Sequence, residues 1–380
     1  MDSAFLQIRS RMRDGILRGR PTIYILIVLG SFILSHLYQL RTSGIFDCPA
    51  SGYTSDRFLA DCEAKNYGDY EHGAFWFDLE PAAAVSAASA DVLFLGPSRV
   101  QFAFSTSATA QWLSSASARY YLLGFIGNEN SIFAKALLHK LRPRAKVYII
   151  NTPEFFRPSE APYAKIVMHD DAARSRYEVK RLWQFAHKPI CGNLAAICGH
   201  GLAIFRSRQT GAFYAPAFVS ELSRFGVRPV SYDPQIDPRE IDEAVSIGQI
   251  FLSELPVKPE CVVLTAVPTV STKLGGANAI ADGLGKKLVA PPNIEGLQTF
   301  DGNHLDQASA ESWSEAFFKT AGSQIQKCLE DTNQSKNAAA SASRRRNDHK
   351  RPRPPRPQEE SDTIEAPPLQ TNTTYASKHS

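Results

Sequence analysis

Apolar and polar positions fall into a repeating beat along this chain: a short apolar run, a loop, then a helix-like stretch. Asp91-Val-Leu-Phe-Leu95 is followed by Ser105 to Ser114, which carries cap-like serines and Trp112. Arg119-Tyr-Tyr-Leu-Leu123 precedes Gly124 and a helical pattern from Glu129 to Leu141. Lys146-Val-Tyr-Ile-Ile150 precedes Asn151-Thr152-Pro153. Later, Asp237 to Leu255 reads as a helix, Cys261-Val-Val-Leu-Thr-Ala266 as a strand, and Lys287-Leu-Val-Ala290 as another. Strands that are apolar at every position have both faces buried. Spaced by helices, they predict an α/β domain built on a parallel sheet. The stretch from Pro158 to Asp237 breaks the beat, and its Trp183, Phe205, Phe213 and Tyr214 suggest a partly helical insertion, either a cap or a partner surface.

The two ends follow different rules. Thr22 to Leu40 contains no Asp, Glu, Lys or Arg over 19 residues, close to the ~20 that cross a bilayer as a helix. Arg9, Arg11, Arg13, Arg18 and Arg20 precede it against only Asp2 and Asp14, which predicts a cytoplasmic N-terminus by the positive-inside rule. A cleaved signal peptide would want a small-x-small site, and Arg41-Thr42-Ser43 is a poor one. From Asp331 to Ser380 the large apolar residues are few, and the run includes Arg344 to Arg346 and Lys350-Arg-Pro-Arg-Pro-Pro-Arg-Pro357. Such a segment cannot bury a core and reads as disordered. The formal net charge of +4 resides in these ends, and residues 21–330 are slightly acidic, so no nucleic-acid partner is expected.

All six cysteines lie beyond the apolar run. An even number in an oxidising compartment allows disulfides, with Cys48–Cys62 and Cys191–Cys198 the local choices and Cys261–Cys328 left for the end of the core. The spacings fit no familiar zinc pattern, and a reduced, buried Cys261 is the bland alternative. The expected organisation is a basic cytoplasmic segment (1–20), a membrane anchor (21–40), an extracytoplasmic linker (41–88), a folded α/β domain (89–328) with its insertion at about 158–237, and a disordered basic, Pro-rich tail (329–380).

Chemistry concentrates at two loops. Phe94-Leu95-Gly96-Pro97-Ser98-Arg99 puts a serine at a strand end, where its hydroxyl is presented to the edge of the sheet. Asp301-Gly302-Asn303-His304 sets an acid and an imidazole three positions apart, so one short loop can aim both at one site. Serine, base and orienting acid are the parts of an activated nucleophile. Each loop also has a plain reading, as a helix cap or an ordinary turn. Ser98, Gly124, Asn151 and His304 all fall at or just past expected strand ends, where parallel sheets form their sites.

These loops resemble the sequence blocks of the SGNH, or GDSL-type, hydrolase superfamily, in which a Gly-Asp-Ser follows a strand and Asp-x-x-His comes near the C-terminus. Gly96-Pro97-Ser98 matches the first block, with Pro97 where the family usually has Asp. Asp301 to His304 matches the last. Gly124 or Gly127 matches the oxyanion glycine, and Asn151 the oxyanion asparagine, with Asn128 as its rival. The resemblance covers Asp91 to Gly322 apart from the insertion. It implies a three-layer flavodoxin-like fold, Ser98 as nucleophile, His304 as base, Asp301 as its orienting acid, and no metal or organic cofactor. One span ahead of such a domain is similar to bacterial proteins that add or remove acyl groups on exported polysaccharides. That implies a serine esterase or O-acyltransferase at the cytoplasmic membrane, a carbohydrate polymer as partner, and a polysaccharide-modification or export machinery around it. The alternative is a non-catalytic glycan-binding or scaffold protein of the same fold.

Overall fold

The computed structural model describes residues 21–348 except 64–65, 153, 195–197 and 292–293. Its first sheet joins β1 (Arg57–Cys62) and β2 (Gly68–Asp69) to later strands, and the central sheet begins with β3 (Val92–Pro97), β4 (Tyr120–Phe125) and β5 (Val147–Asn151). β6 (Ala203–Ser207) and β7 (Phe213–Tyr214) complete the first sheet. Two short pairs, β8 (Arg228–Pro229) with β13 (Gln298–Thr299) and β9 (Tyr232–Asp233) with β11 (Thr272–Lys273), stand apart. β10 (Val262–Thr265) and β12 (Leu288–Val289) finish the central sheet, whose order is β12-β10-β5-β3-β4. Every neighbouring pair in it is parallel.

The all-apolar strands divide their side chains between two cores, as a period of two requires. Leu93, Leu95, Tyr121, Leu123, Tyr148, Ile150 and Leu264 belong to one core. Val92, Phe94, Leu122, Val147, Ile149 and Val263 belong to the other. The second core is closed by the C-terminal helix Gln307–Asp348, which contributes Trp313, Phe317, Ala321, Ile325 and Cys328 at helical spacing. The first is closed by Ala83 and Ala87 of Pro81–Ser89, by Phe133 and Leu137 of Ser131–Leu141, and by Phe251 of Pro238–Ser253. The expected α/β domain with a doubly covered parallel sheet is therefore present.

Two expectations are corrected. Residues 41–88 are not a linker. β1 is almost wholly buried and forms an antiparallel sheet in the order β2-β1-β6-β7, so the approach segment and the insertion complete one another. The tail is not disordered from 329: the helix from Gln307 runs on to Asp348, while a second compact unit begins at Asn333, close to the expected boundary. Its Ala-rich stretch favours helix despite its polarity. The basic run from Lys350 lies outside the described residues.

The expected anchor is a helix, Pro21–Thr42, long and apolar enough to cross a membrane. Ile25, Leu26, Val28, Phe32 and Leu34 are all exposed on it, whereas a core helix would hide such a face. All three expected disulfides form, Cys48–Cys62, Cys191–Cys198 and Cys261–Cys328. The last joins the start of β10 to the C-terminal helix across 67 residues, a long loop whose closure restricts the unfolded chain. We expect the paired Cys261→Ser and Cys328→Ser replacement to lower the unfolding free energy by roughly 4 kcal/mol. Denaturant titration checks this, and an unchanged midpoint would show that the tether is idle.

Candidate functional site

β3 lies between β4 and β5, so the residue after it sits at the carboxyl edge with a loop on either side. That residue is Ser98, which opens the helix Ser98–Phe104. Gly96 makes the turn possible: a Cβ there would stand 2.6 Å from Val100 Cγ2 and 3.1 Å from Asn151 Cβ. Pro97 fixes the backbone just before the serine.

The Asp301–His304 loop meets it from 206 residues away. Ser98 Oγ lies 2.8 Å from His304 Nε2, and His304 Nδ1 lies 2.6 Å from Asp301 Oδ2. A carboxylate only accepts, so Nδ1 carries the proton and Nε2 is left to accept from the serine hydroxyl. The other oxygen, Asp301 Oδ1, accepts the backbone N–H groups of Asn303 and His304, both at 2.8 Å. Burial works against the Asp301 charge, but the His304 ring and these two amides more than offset it and hold its carboxyl below the usual value. Gly302, at φ 92°, turns the loop, and its N–H donates to Thr299 Oγ1. Phe300 N–H donates to the His304 carbonyl at 3.0 Å, so both ends of the loop are tied.

Sequence reasoning missed the aromatic wall around the imidazole. Phe300 stacks on His304 with ring centres 5.5 Å apart, and Phe102 lies 4.7 Å away at a tilt. Phe218 of the insertion stacks on Phe102 at 6.0 Å, and Phe213 meets the same ring edge-on. Phe102 is four residues after Ser98, one helical turn, which is the signal that could have found it. The insertion thus forms one wall of the site.

The oxyanion candidates divide. Gly124 lies inside β4, opposite Gly96 in register, and its carbonyl accepts from Gln101 Nε2 at 2.6 Å. The strand continues to Phe125, whose side chain is buried, so the loop's own glycine is Gly127, at φ 76°. Asn151 ends β5, fully buried. Its Oδ1 accepts from Val267 N–H at 2.8 Å, and its Nδ2 is a buried donor without a hydrogen-bond partner among the described residues. Asn128 follows Gly127 in the left-handed region, at φ 60°.

That loop is latched from beneath by two consecutive residues of the short helix Glu71–Trp76. Glu71 Oε1 accepts from Ile126 N–H at 2.8 Å, and His72 Nε2 lies 2.9 Å from Glu129 Oε2. His72 Nδ1 also pairs with Asp69 Oδ1 at 2.9 Å, while Glu71 Oε2 accepts from Arg206 Nη1 at 2.7 Å. On the other side of β3, Glu154 bridges Arg99, the neighbour of Ser98, at 3.2 Å and Arg157 at 3.1 Å. A cavity of about 480 Å³ opens between the two flanking loops, lined by Asn128, Asn130, Arg157, Glu160 and Tyr163 among others.

Two clusters have metal-ligand spacing among the described residues, and both have their donor atoms in use. His187, Cys191 and Cys198 include a disulfide, and Asp69, Glu71 and His72 are bound to one another's neighbours as above. No protein-family model, curated protein or solved structure matches this chain.

Burial opposes the His72 charge, but Asp69 and Glu129 outweigh it and push its pKa up to about 10. Burial also raises Asp61, with Asp69 and Glu71 adding to it, to about 8. In both cases the folded state holds a proton that the unfolded chain releases sooner. The His72 contribution is therefore complete below its unfolded value of 6.5 and lost as pH rises through about 10. Asp61 acts in the same direction between 3.8 and about 8. Thermal unfolding measured across neutral to alkaline pH should show wild type losing stability with a steeper slope than His72→Gln. Parallel curves would sink this assignment.

Proposed function

We propose that this protein is a serine acyl-transferring enzyme, an esterase or O-acyltransferase acting by an acyl-enzyme. The observation that carries it is the continuous hydrogen-bonded line Ser98–His304–Asp301, assembled from loops 206 residues apart in sequence. An ordinary capping serine has no need of an oriented imidazole. In the reaction Ser98 Oγ attacks the acyl carbonyl carbon and its proton passes to His304 Nε2. Collapse of the tetrahedral adduct breaks the bond to the leaving alcohol, which takes that proton from His304. Water or a sugar hydroxyl then attacks the acyl-serine, gives its proton to His304, and regenerates Ser98. Asp301 stabilises the charged imidazole at both stages. We assign the developing oxyanion to Asn151 Nδ2, unpartnered among the described residues, and to the backbone of the Gly127 loop.

The arrangement supports membership of the SGNH superfamily, with Pro97 as its departure. The apolar helix Pro21–Thr42, the arginines before it and the disulfides after it support a single-pass protein of the cytoplasmic membrane, with the α/β domain on the extracytoplasmic, periplasmic side. There the accessible acyl acceptors and esters include envelope or exported polysaccharide, and the cavity between the loops that follow β4 and β5, with its Asn, Arg, Glu and Tyr lining, suits a sugar better than an apolar chain. Acetyl is the acyl group we favour.

A fluorophosphonate probe should label Ser98 of the wild type and leave Ser98→Ala unlabelled. Hydrolysis of a chromogenic acetyl ester should fall by about three orders of magnitude or more in Ser98→Ala and His304→Ala. A folded wild type that neither labels nor turns over would hand the protein to the glycan-binding scaffold reading.

A further inference from the structure

The insertion contains one long helix, Ala173–Asn193, that wears two faces. Ala173, Tyr177, Gln184, His187 and Cys191 are buried, at the three- and four-residue spacing of a helix packed on a core. The opposite face carries Leu182 at 67% and Phe185 at 83% exposure, with Val179, just under one turn before Leu182, at 40%. Exposed apolar residues scattered singly are ordinary. These share one face, however, and they are bracketed by charge: Arg181 and Lys188 stand four residues before Phe185 and three after it. The helix as a whole has Arg174, Arg176, Lys180, Arg181 and Lys188 against the single Glu178.

What covers this face follows from where the helix is fastened. His187 Nε2 meets the Cys48 carbonyl at 3.1 Å. Just past the helix, Gly199 N–H donates to the Phe46 carbonyl and Gly201 N–H to that of Asp47, at 2.6 and 2.8 Å. Residues 46–48 are the turn that leaves the apolar helix Pro21–Thr42. Six peptide links separate Thr42 from Cys48, so their Cα atoms are at most about 21 Å apart even if fully extended. The left-handed Gly44 and the 3-10 turn Ile45–Asp47 make the distance shorter than that. The end of the helix Ala173–Asn193 is therefore fastened to a turn within about 21 Å of Thr42, where the apolar helix ends. A basic helix with an aliphatic and aromatic face at that place has the chemistry of an interfacial helix.

We propose that Ala173–Asn193 docks on the membrane, with Leu182 and Phe185 inserted at the boundary of headgroups and acyl chains, and Arg181 and Lys188 on anionic lipid phosphates. This rests on the reading of Pro21–Thr42 as a span and is independent of the serine chemistry. Docking would hold the α/β domain against the leaflet rather than leave it swinging on its anchor.

The test uses the full chain reconstituted in vesicles, with an environment-sensitive fluorescent amino acid in place of Phe185. In vesicles containing phosphatidylglycerol, emission should shift to the blue and be quenched by lipids brominated near the top of the acyl chain, more than by lipids brominated near its end. Leu182→Glu should abolish the quenching while the protein still resists alkaline carbonate extraction. Arg181→Glu with Lys188→Glu should weaken it in anionic vesicles. Water-like emission insensitive to brominated lipid in a carbonate-resistant protein would overturn the docking alone. A blue shift that grows with protein density and ignores brominated lipid would assign the face to a second copy instead. Extraction of the chain by carbonate would overturn the span, and the proposal with it.

Discussion

The interaction on which the rest depends is the fully buried ion network beneath the loop after β4. Asp69, Glu71 and Glu129 face His72 and Arg206 there, all of them buried. An ion taken from water loses several kcal/mol of hydration even after relaxation, so such a group persists only when partners occupy nearly every hydrogen-bonding position. Most are filled: Tyr177 OH donates to Asp69 Oδ2 at 2.6 Å, Asn130 N–H to Glu129 Oε1 at 3.0 Å, and Arg206 Nη2 to the Leu122 carbonyl at 2.6 Å, whereas Arg206 Nε has no partner among the described residues. Burial raises Asp61 to about 8, so at neutral pH it is mostly protonated and adds little further negative charge. Losing one partner would leave another charge buried and alone, at about 3–5 kcal/mol. A hydrophobic cluster of equal volume could have stabilised the fold as well. The ion network adds direction, because each pair fixes a backbone segment at one orientation.

That direction matters because of which segments are fixed. Glu71 and His72 come from the approach segment, Arg206 from the insertion, and Glu129 from the loop flanking the serine. The serine turn itself is short and local, held by Gly96 and Val100. The loop beside it has two residues in left-handed conformations, Gly127 and Asn128, and would otherwise be the least constrained part of the edge. The network replaces that freedom with three hydrogen bonds, from Ile126 N–H to Glu71, between His72 and Glu129, and from Asn130 N–H to Glu129.

How much of this was legible in the sequence follows from the range of each interaction. The central strands could be read because continuous apolar runs report burial on both faces. The Asp301–His304 loop could be read because its acid and imidazole are three residues apart and bond within the turn. The disulfide pairs could be proposed from proximity in sequence, two local and one left over, although six cysteines allow fifteen pairings. The first sheet was hidden because β1 pairs with β6, whose residue Ser207 lies opposite Arg57, and neither strand alone looks different from a loop rich in aromatics. Arg206 and Glu71 look like surface residues in a string of letters. Gly124 was expected in the loop because the apolar run was taken to end at Leu123, whereas Phe125 carries the strand two residues farther.

The helix Ala173–Asn193 connects the two halves of the molecule that the sequence kept apart. Near its start, Tyr177 holds Asp69, which holds His72 and through it the loop beside the serine. In its middle, Gln184 donates to the Leu59 carbonyl at 2.8 Å and accepts Leu59 N–H at 3.2 Å. It thereby caps the edge of β1 that β2 does not reach, since β2 pairs only with Asp61 and Cys62 while Leu59 pairs with Phe205 on the β6 side. Near its end, His187 holds the turn that follows the apolar helix. Tyr177 and His187 are ten residues apart, about 15 Å along a helix axis, and both are buried. A rigid rod pinned at both ends and in the middle transmits position, so the sheet edge that carries Ser98 cannot drift relative to the turn at Cys48 without breaking one of these contacts. On the proposed reading as a membrane-anchored acyl-transferring enzyme, which needs angstrom-scale alignment of nucleophile and carbonyl, a mobile anchor would set only how often substrate is met. On that same reading a braced one would also set the height above the membrane at which a polymer must pass to be modified.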